Sequence, residues 1–252
     1  MKRSISVIIL TSLLFLSTLA QKQQTDREAD GLEGAVKTVV TEEAKLRNDS
    51  SKLVDYDRKP ESEISYDADG NRVSRKAHDY TGALFESVNY SRVDGDKVVI
   101  YKDVENRNSV VVGMSAPTNQ PKRPSDPRYT YKFKYKYDSN GKVSEESLYH
   151  NDGSLWLRYV YKTKGNQKEE LVYSADGSLN QKYVYTLDDK GNEVEMLVYD
   201  TENDSVRSKE AYKYVEFDSK GNWTKRITSR GNKEGGFALK TSKVTYRKIT
   251  YF

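Results

Sequence analysis

The chain has 252 residues, with no cysteine, 20 tyrosines, 42 lysines and arginines and 38 acidic residues. The lack of thiols excludes disulfides, cysteine zinc sites and thiol nucleophiles, and the balanced charge gives no basic face for nucleic acid. Only 35% of the residues are hydrophobic, so we expect tyrosine rings to do much of the packing that aliphatic side chains do elsewhere.

The first 20 residues have the layout of a secretory signal peptide. Lys2 and Arg3 precede an apolar run over residues 5–19, and small residues stand at the end of Thr18-Leu19-Ala20. The run is shorter than the roughly 20 residues that span a bilayer, so we predict cleavage after Ala20, with a retained membrane anchor as the alternative. The mature chain is then exported, periplasmic or extracellular, without stable membrane insertion.

Composition divides the rest of the chain into four segments. Residues 21–31 are polar and are predicted to be disordered, and residues 32–113 are predicted to form an N-terminal β unit. Residues 114–128 hold four of the five prolines, which excludes a central strand. This segment is either a loop inserted in one sheet or a linker between two units. Residues 129–252 are predicted to form a C-terminal β unit.

Turn signals recur about every 12 residues. Asn-Gly, Asp-Gly and Lys-Gly pairs tolerate the positive φ angles that tight hairpin turns need. The spacing predicts structural turns at eight glycines: Gly70, Gly82, Gly141, Gly153, Gly165, Gly177, Gly191 and Gly221.

The segments between these turns alternate with a period of two. Residues 129–137 carry aromatic rings at odd positions and Thr or Lys at even positions, which is typical of a strand with one aromatic and one charged face. The sequence predicts an all-β protein, an antiparallel meander of short hairpins built from ~12-residue strand-turn units. Its aromatic face, with Tyr135, Tyr159 and Tyr183, must be covered by curling of the sheet or by a second sheet.

Two phrases resemble the YD repeat of RHS-type proteins: Tyr66-Asp67-Ala68-Asp69-Gly70-Asn71-Arg72-Val73 and Tyr137-Asp138-Ser139-Asn140-Gly141-Lys142-Val143. Phe217-Asp218-Ser219-Lys220-Gly221-Asn222-Trp223 is a variant. The resemblance is clearest over residues 129–226 and returns in residues 64–90. It implies a winding antiparallel sheet. We expect a short repeat protein without the toxin domain that large members of the family enclose.

No catalytic, cofactor or metal site is predicted. His78 and Asp79 are adjacent in a strand and should point to opposite faces, which makes them a poor catalytic pair. A calcium loop starting at Asp67 would need Glu at its twelfth position, where His78 stands. Acidic residues recur in register after the turns, which favours a solvated strand face over one catalytic site: Glu145-Glu146, Glu169-Glu170 and Glu193 with Glu195.

The favoured hypothesis is therefore an exported, non-catalytic structural or binding module of the cell envelope or exterior. It would act through its β-sheet surface on a protein or glycan partner, and not on nucleic acid. Two alternatives stay open. One is a carbohydrate-active enzyme that uses paired carboxylates at a glycosidic bond. The other is a carbohydrate-binding protein that uses exposed aromatic rings, for which Trp156 and Trp223 are the candidates.

Overall fold

A computed structural model describes residues 22–49, 52–93, 96–103, 128–150 and 152–252. The predicted signal peptide lies outside these ranges, as does the proline-rich segment apart from Arg128. The division of the chain into two β units stays a prediction.

The described residues form one short helix and fourteen strands. The helix is α1 (Asp26–Ala29). The strands are β1 (Val36–Asp49), β2 (Lys52–Tyr66), β3 (Arg72–His78), β4 (Leu84–Val93), β5 (Asp96–Asp103), β6 (Arg128–Tyr137), β7 (Val143–Tyr149), β8 (Leu155–Lys164), β9 (Gln167–Ser174), β10 (Leu179–Leu187), β11 (Glu193–Tyr199), β12 (Val206–Phe217), β13 (Trp223–Asn232) and β14 (Lys240–Tyr251). Within the described ranges, no helix has the length and apolar character needed to cross a bilayer.

The strands form one closed antiparallel barrel. Each strand pairs with the next one along the chain, and β1 also pairs with β14. This closing pair runs from Val36 opposite Tyr251 to Lys45 opposite Lys243. The predicted antiparallel meander is confirmed, and the sheet covers its aromatic face by curling on itself. Because β5 pairs with β6, strands before and after the proline-rich segment lie in the same sheet.

Aspartates in the turns accept hydrogen bonds from backbone N–H groups of the same turn. At one end of the barrel four turns begin with Asp, and we call these the Asp-initiated turns: 67–71, 138–142, 188–192 and 218–222. The Asp188 carboxylate, for example, accepts hydrogen bonds from the backbone N–H groups of Lys190 at 2.9 Å and Asn192 at 2.8 Å. At the other end, Asp79 begins its turn in the same way, whereas Asp152 stands in the middle of its turn and accepts from the Ser154 N–H at 2.9 Å. These local bonds explain why Asp recurs beside most of the turn glycines.

All eight glycines singled out in the sequence lie in turns, with φ between +61° and +93°. This left-handed region is costly for residues that carry a Cβ. The 200–205 turn, which has no glycine, places Asp204 in the same region, with φ +54°.

Residues 22–35 form an ordered segment across the end of the barrel that carries the Asp-initiated turns; we call this the capped end. Backbone N–H groups donate from Gln24 to the Gly141 carbonyl at 2.9 Å and from Arg27 to the Gly70 carbonyl at 3.0 Å. Helix α1 also has a capping box, in which Thr25 and Glu28 bond each other's backbone N–H groups. The prediction of disorder over 21–31 is therefore wrong for residues 22–31, because docking on the turns supplies partners that their polarity does not reveal.

A small hydrophobic cluster lies beneath this segment. Leu32, Val36, Val39 and Tyr66 are buried together, and Val36 is fully inaccessible. The cluster joins the N-terminal segment to β1 and β2, so burial of apolar area helps to hold the segment on the capped end.

Candidate ligand-binding site inside the barrel

The strand register places the tyrosine rows on the inner wall. Residues directly opposite each other in neighbouring strands share a face of the sheet. Val39 and Ile64 are such partners, and both line a cavity inside the barrel, so theirs is the inner face. Partners followed around the barrel from this pair put these tyrosines, among others, on the same face: Tyr135, Tyr159, Tyr161, Tyr183, Tyr185, Tyr212 and Tyr214.

Two glutamates are each set between two of these tyrosines. Glu170 on β9 lies opposite Tyr161 on β8 and Tyr183 on β10. Glu146 on β7 likewise lies opposite a tyrosine on each neighbouring strand, Tyr135 on β6 and Tyr159 on β8. The inner wall therefore carries two rows in which a carboxylate stands between two phenol rings.

Burial raises the pKa values of ionisable side chains on the inner wall. Burial, with Glu146 and Glu170 nearby, raises the pKa of Tyr159 to about 12. Burial also raises the pKa of Glu170; Lys168 opposes that rise and Glu193 adds to it. Glu193 itself accepts a hydrogen bond from Lys168 Nζ at 3.0 Å. The wall thus places a carboxyl group whose pKa is raised by burial close to a carboxylate held in an ion pair.

The recurring glutamates do not share one solvated face, as their register in the sequence suggested. Glu145, Glu169 and Glu195 lie on the outer wall, where Glu145 pairs with Lys136 at 2.8 Å and Glu169 with Lys162 at 3.5 Å. Their companions point inward: Glu146, Glu170 and Glu193. The prediction is wrong for these three because adjacent strand residues face opposite sides, and a register shift after Thr186 turns Glu193 inward. Glu146 shares its parity with the buried Leu148, and Glu170 with the buried Val172, which was the signal that could have found these two.

The outer wall is charged, as the alternation of the strands predicts. Three cations lie over outer tyrosine rings: Lys134 over Tyr149 at 5.4 Å, Arg158 over Tyr173 at 4.7 Å and Lys182 over Tyr199 at 4.4 Å. Such pairs leave the charged group in contact with water while the stem covers a ring.

The two candidate binding tryptophans are not brought together. Trp223 lies at the capped end, is only 7% exposed and lines the same cavity as Val39 and Ile64. Trp156 lies at the start of β8, at the other end of the barrel. Its ring stacks on Tyr131 at a centroid distance of 4.8 Å and lies 5.7 Å from the His150 ring centroid. Each ring therefore packs against protein.

His78 and Asp79 both line a second cavity of about 330 Å³, together with Glu61 and Lys243. The Asp79 carboxylate accepts hydrogen bonds from Thr81 within its own turn. Across the described ranges, no group of three His, Asp or Glu side chains is placed to hold a metal ion.

No protein-family model matches this sequence, and no curated protein matches it either. Among solved structures, a porin-like protein from Bacteroides uniformis is 9% identical, with 86% of this chain and 98% of that chain covered and a TM-score of 0.48. A protein of unknown function from Bacteroides fragilis is 13% identical, over 48% of this chain and 91% of its own, with a TM-score of 0.33. A putative outer membrane lipoprotein-sorting protein domain from Vibrio parahaemolyticus is 11% identical, over 89% and 88%, with a TM-score of 0.30. At these identities and TM-scores, the likenesses carry no information about function.

Proposed function

We propose that this chain is an exported, non-catalytic binding module of the cell envelope or exterior that takes a glycan against its inner wall. The observation that carries the proposal is the pair of inner rows in which Glu146 and Glu170 each stand between two tyrosines.

The chemistry of these rows suits a polyhydroxylated ligand. The faces of sugar rings carry C–H groups that pack on aromatic rings, and their edges carry hydroxyl groups that donate to carboxylates. A tyrosine ring supplies the flat surface and a hydroxyl at its tip. Recognition pockets commonly combine such apolar area with a few fixed polar groups.

Glu169 and Glu170 form a matched pair for testing this proposal, since they are adjacent and face opposite sides of the wall. Glu170→Gln should weaken binding to a glycan panel by about tenfold, because it removes a charged acceptor from the rows. Glu169→Gln, on the outer wall, should leave binding unchanged. Equal binding by both variants, or no glycan bound by the mature protein, would refute the proposal.

A carbohydrate-active enzyme is the second candidate function. The observation that favours it is the inner pair of Glu170, with its raised pKa, and Glu193, paired with Lys168. A carboxyl group of raised pKa near a second carboxyl group is the arrangement that glycosidases use. Release of reducing sugar by the wild-type protein, lost in Glu170→Gln, would favour the enzyme over the binding module.

We also infer that the repeating unit is a short relative of the YD repeat. The Tyr66-Asp67, Tyr137-Asp138 and Phe217-Asp218 pairs all stand where a strand enters a turn of the capped end. Shared position in the fold supports a repeated unit. A profile built from relatives of this chain should align all three pairs with the YD dipeptide, and failure to align them would remove the inference.

A further inference from the structure

A cluster of buried polar side chains lies beside a cavity at the capped end. The cavity has a volume of about 250 Å³ and lies between β1, β2, β13 and β14, under the N-terminal segment. Apolar side chains from Leu32, Val39 and Ile64 line one part of it. Two arginines on neighbouring strands, Arg226 and Arg247, line another part.

Both arginines pack on the same tryptophan. The Arg247 guanidinium carbon lies 3.6 Å from the Trp223 ring centroid, and that of Arg226 lies 4.9 Å from the same centroid. Burial, with Arg226 nearby, lowers the pKa of Arg247 to about 10, so it remains a cation at neutral pH. Two like charges are thus held around one ring, at the wall of a cavity.

Several hydrogen-bond donors of this cluster have no acceptor within the described part of the chain. The Nε atoms of Arg226 and Arg247 are buried and have no hydrogen-bond partner among the described residues. The hydroxyl groups of Thr228 and Thr245 are buried and equally without a partner there. Thr245 lines the cavity and lies directly opposite Arg226. Buried donors of this kind normally find a partner in protein, water or ligand.

The carboxylates nearest to the arginines are engaged elsewhere. Asp30 accepts hydrogen bonds from Arg72 at 2.6 Å and from the Tyr66 hydroxyl. Burial, reinforced by Glu43, raises the pKa of Glu61, while the charge of Arg226 opposes that rise. Asp30 likewise acts on Arg247 through its charge, but neither arginine forms an ion pair with a carboxylate of the described residues. A buried cation without an ion-pair partner is costly, so an anion in the cavity would stabilise the folded protein.

We propose that this cavity binds the oxyanion group of a small ligand, a carboxylate or a phosphate. Arg226 and Arg247 supply charged donors, Thr245 supplies a neutral one, and Trp223 packs against the apolar part of the ligand. Guanidinium groups suit both kinds of oxyanion because their planar donors can bind two oxygens at once. The site requires neither Glu146 nor Glu170, so it goes beyond the glycan-binding function proposed above.

The test measures thermal unfolding and calorimetric titration of the mature protein with inorganic phosphate and with glucuronate, with glucose as the neutral control. Either anion should bind and raise the melting temperature, whereas glucose should do neither at this site. Arg247→Met should weaken anion binding about tenfold or more. It should also keep or raise the melting temperature without ligand, because it removes a buried unpaired charge. Arg158→Met, on the outer wall, is the matched control and should change neither quantity.

Several results would overturn the proposal. These are the absence of binding by either anion, equal responses of wild type and Arg247→Met, or a large loss of stability in Arg247→Met, which would make Arg247 a structural cation. Binding of phosphate alone or glucuronate alone supports it and identifies the group. Should Arg247→Met fail to fold, Thr245→Val decides, since it keeps the side-chain shape and must lower the affinity. Glu170→Gln should leave anion affinity unchanged, so this site and the glycan rows can fail separately.

Discussion

Asn222 and Glu33, 189 residues apart in the chain, are joined by two hydrogen bonds. The Glu33 N–H donates to Asn222 Oδ1 at 2.8 Å, and Asn222 Nδ2 donates to the Glu33 carbonyl at 2.9 Å. The same Nδ2 donates to the Tyr251 hydroxyl at 2.8 Å. One amide thus ties the N-terminal segment to a turn of the capped end and to the strand that closes the barrel.

Replacing Asn222 with Ala should loosen the N-terminal segment. Loss of these bonds leaves backbone groups of Glu33 without their partner, which typically costs about 1–3 kcal/mol. Hydrogen exchange should therefore accelerate at the amides of residues 24–33. Asn192 provides the control, because it holds the same position in the 188–192 turn and donates to Asp188. If Asn192→Ala had the same effect on the segment, docking through Asn222 would not be what holds it.

Gly191 should be far less tolerant of substitution than its neighbour Lys190. Its φ is +83°, and a Cβ built there meets no atom within 4 Å, so any cost of substitution comes from backbone conformation alone. Gly191→Val should lower the free energy of unfolding by about 1–3 kcal/mol. Lys190→Ala should lower it much less. Urea denaturation of both variants checks this, and equal midpoints would contradict the assigned role of the glycine.

The sequence predicted the strands and turns because their signals are local. Period-two alternation in residues 129–137 and the glycine spacing each depend on neighbours within about ten residues. Closure of the barrel has no such signal, since it pairs Thr38 with Thr250, 212 residues away. Thr25 and Glu28 form a capping box, which is a local signal, but the turns on which this segment docks lie far along the chain, at Gly70, Gly141 and Asn222.

The binding surfaces were predicted less well than the fold. The tyrosine rows were expected on one face, but which glutamates share that face depends on parity and on a register shift near Glu193. Arg226 and Arg247 carry no recognisable spacing. Their side chains come close together only because β13 and β14 are neighbouring strands and both arginines line the same cavity. Sites assembled from several strands are set by register, which single-sequence patterns do not fix.

Tyr159 should contribute to stability mainly through its ring. It stands on the inner wall between Glu146 and Val172, and truncation removes buried aromatic area. Tyr159→Ala should lower the free energy of unfolding by up to about 3 kcal/mol, and Tyr159→Phe by less than about 1 kcal/mol. Tyr173→Ala, on the outer wall, should cost less than Tyr159→Ala. Thermal melts with parallel glycan binding distinguish packing from recognition, and a stable Tyr159→Ala that has lost binding would show that the ring serves the ligand alone.

Glu170→Gln should change how stability depends on pH. Burial raises the pKa of Glu170 in the folded protein above its unfolded value. The stability that its neutral form allows is present below the unfolded pKa of about 4.3 and is lost as pH rises through the folded pKa. Glutamine is neutral throughout, so the variant should gain stability over wild type at pH 7, on the order of 1 kcal/mol, and little at pH 4. Glu169→Gln removes an outer ion pair to Lys162 and should instead lose slightly at pH 7. Urea denaturation at both pH values measures the difference, and an equal gain for Glu170→Gln at pH 4 and pH 7 would show that its carboxyl group is not buried on the inner wall.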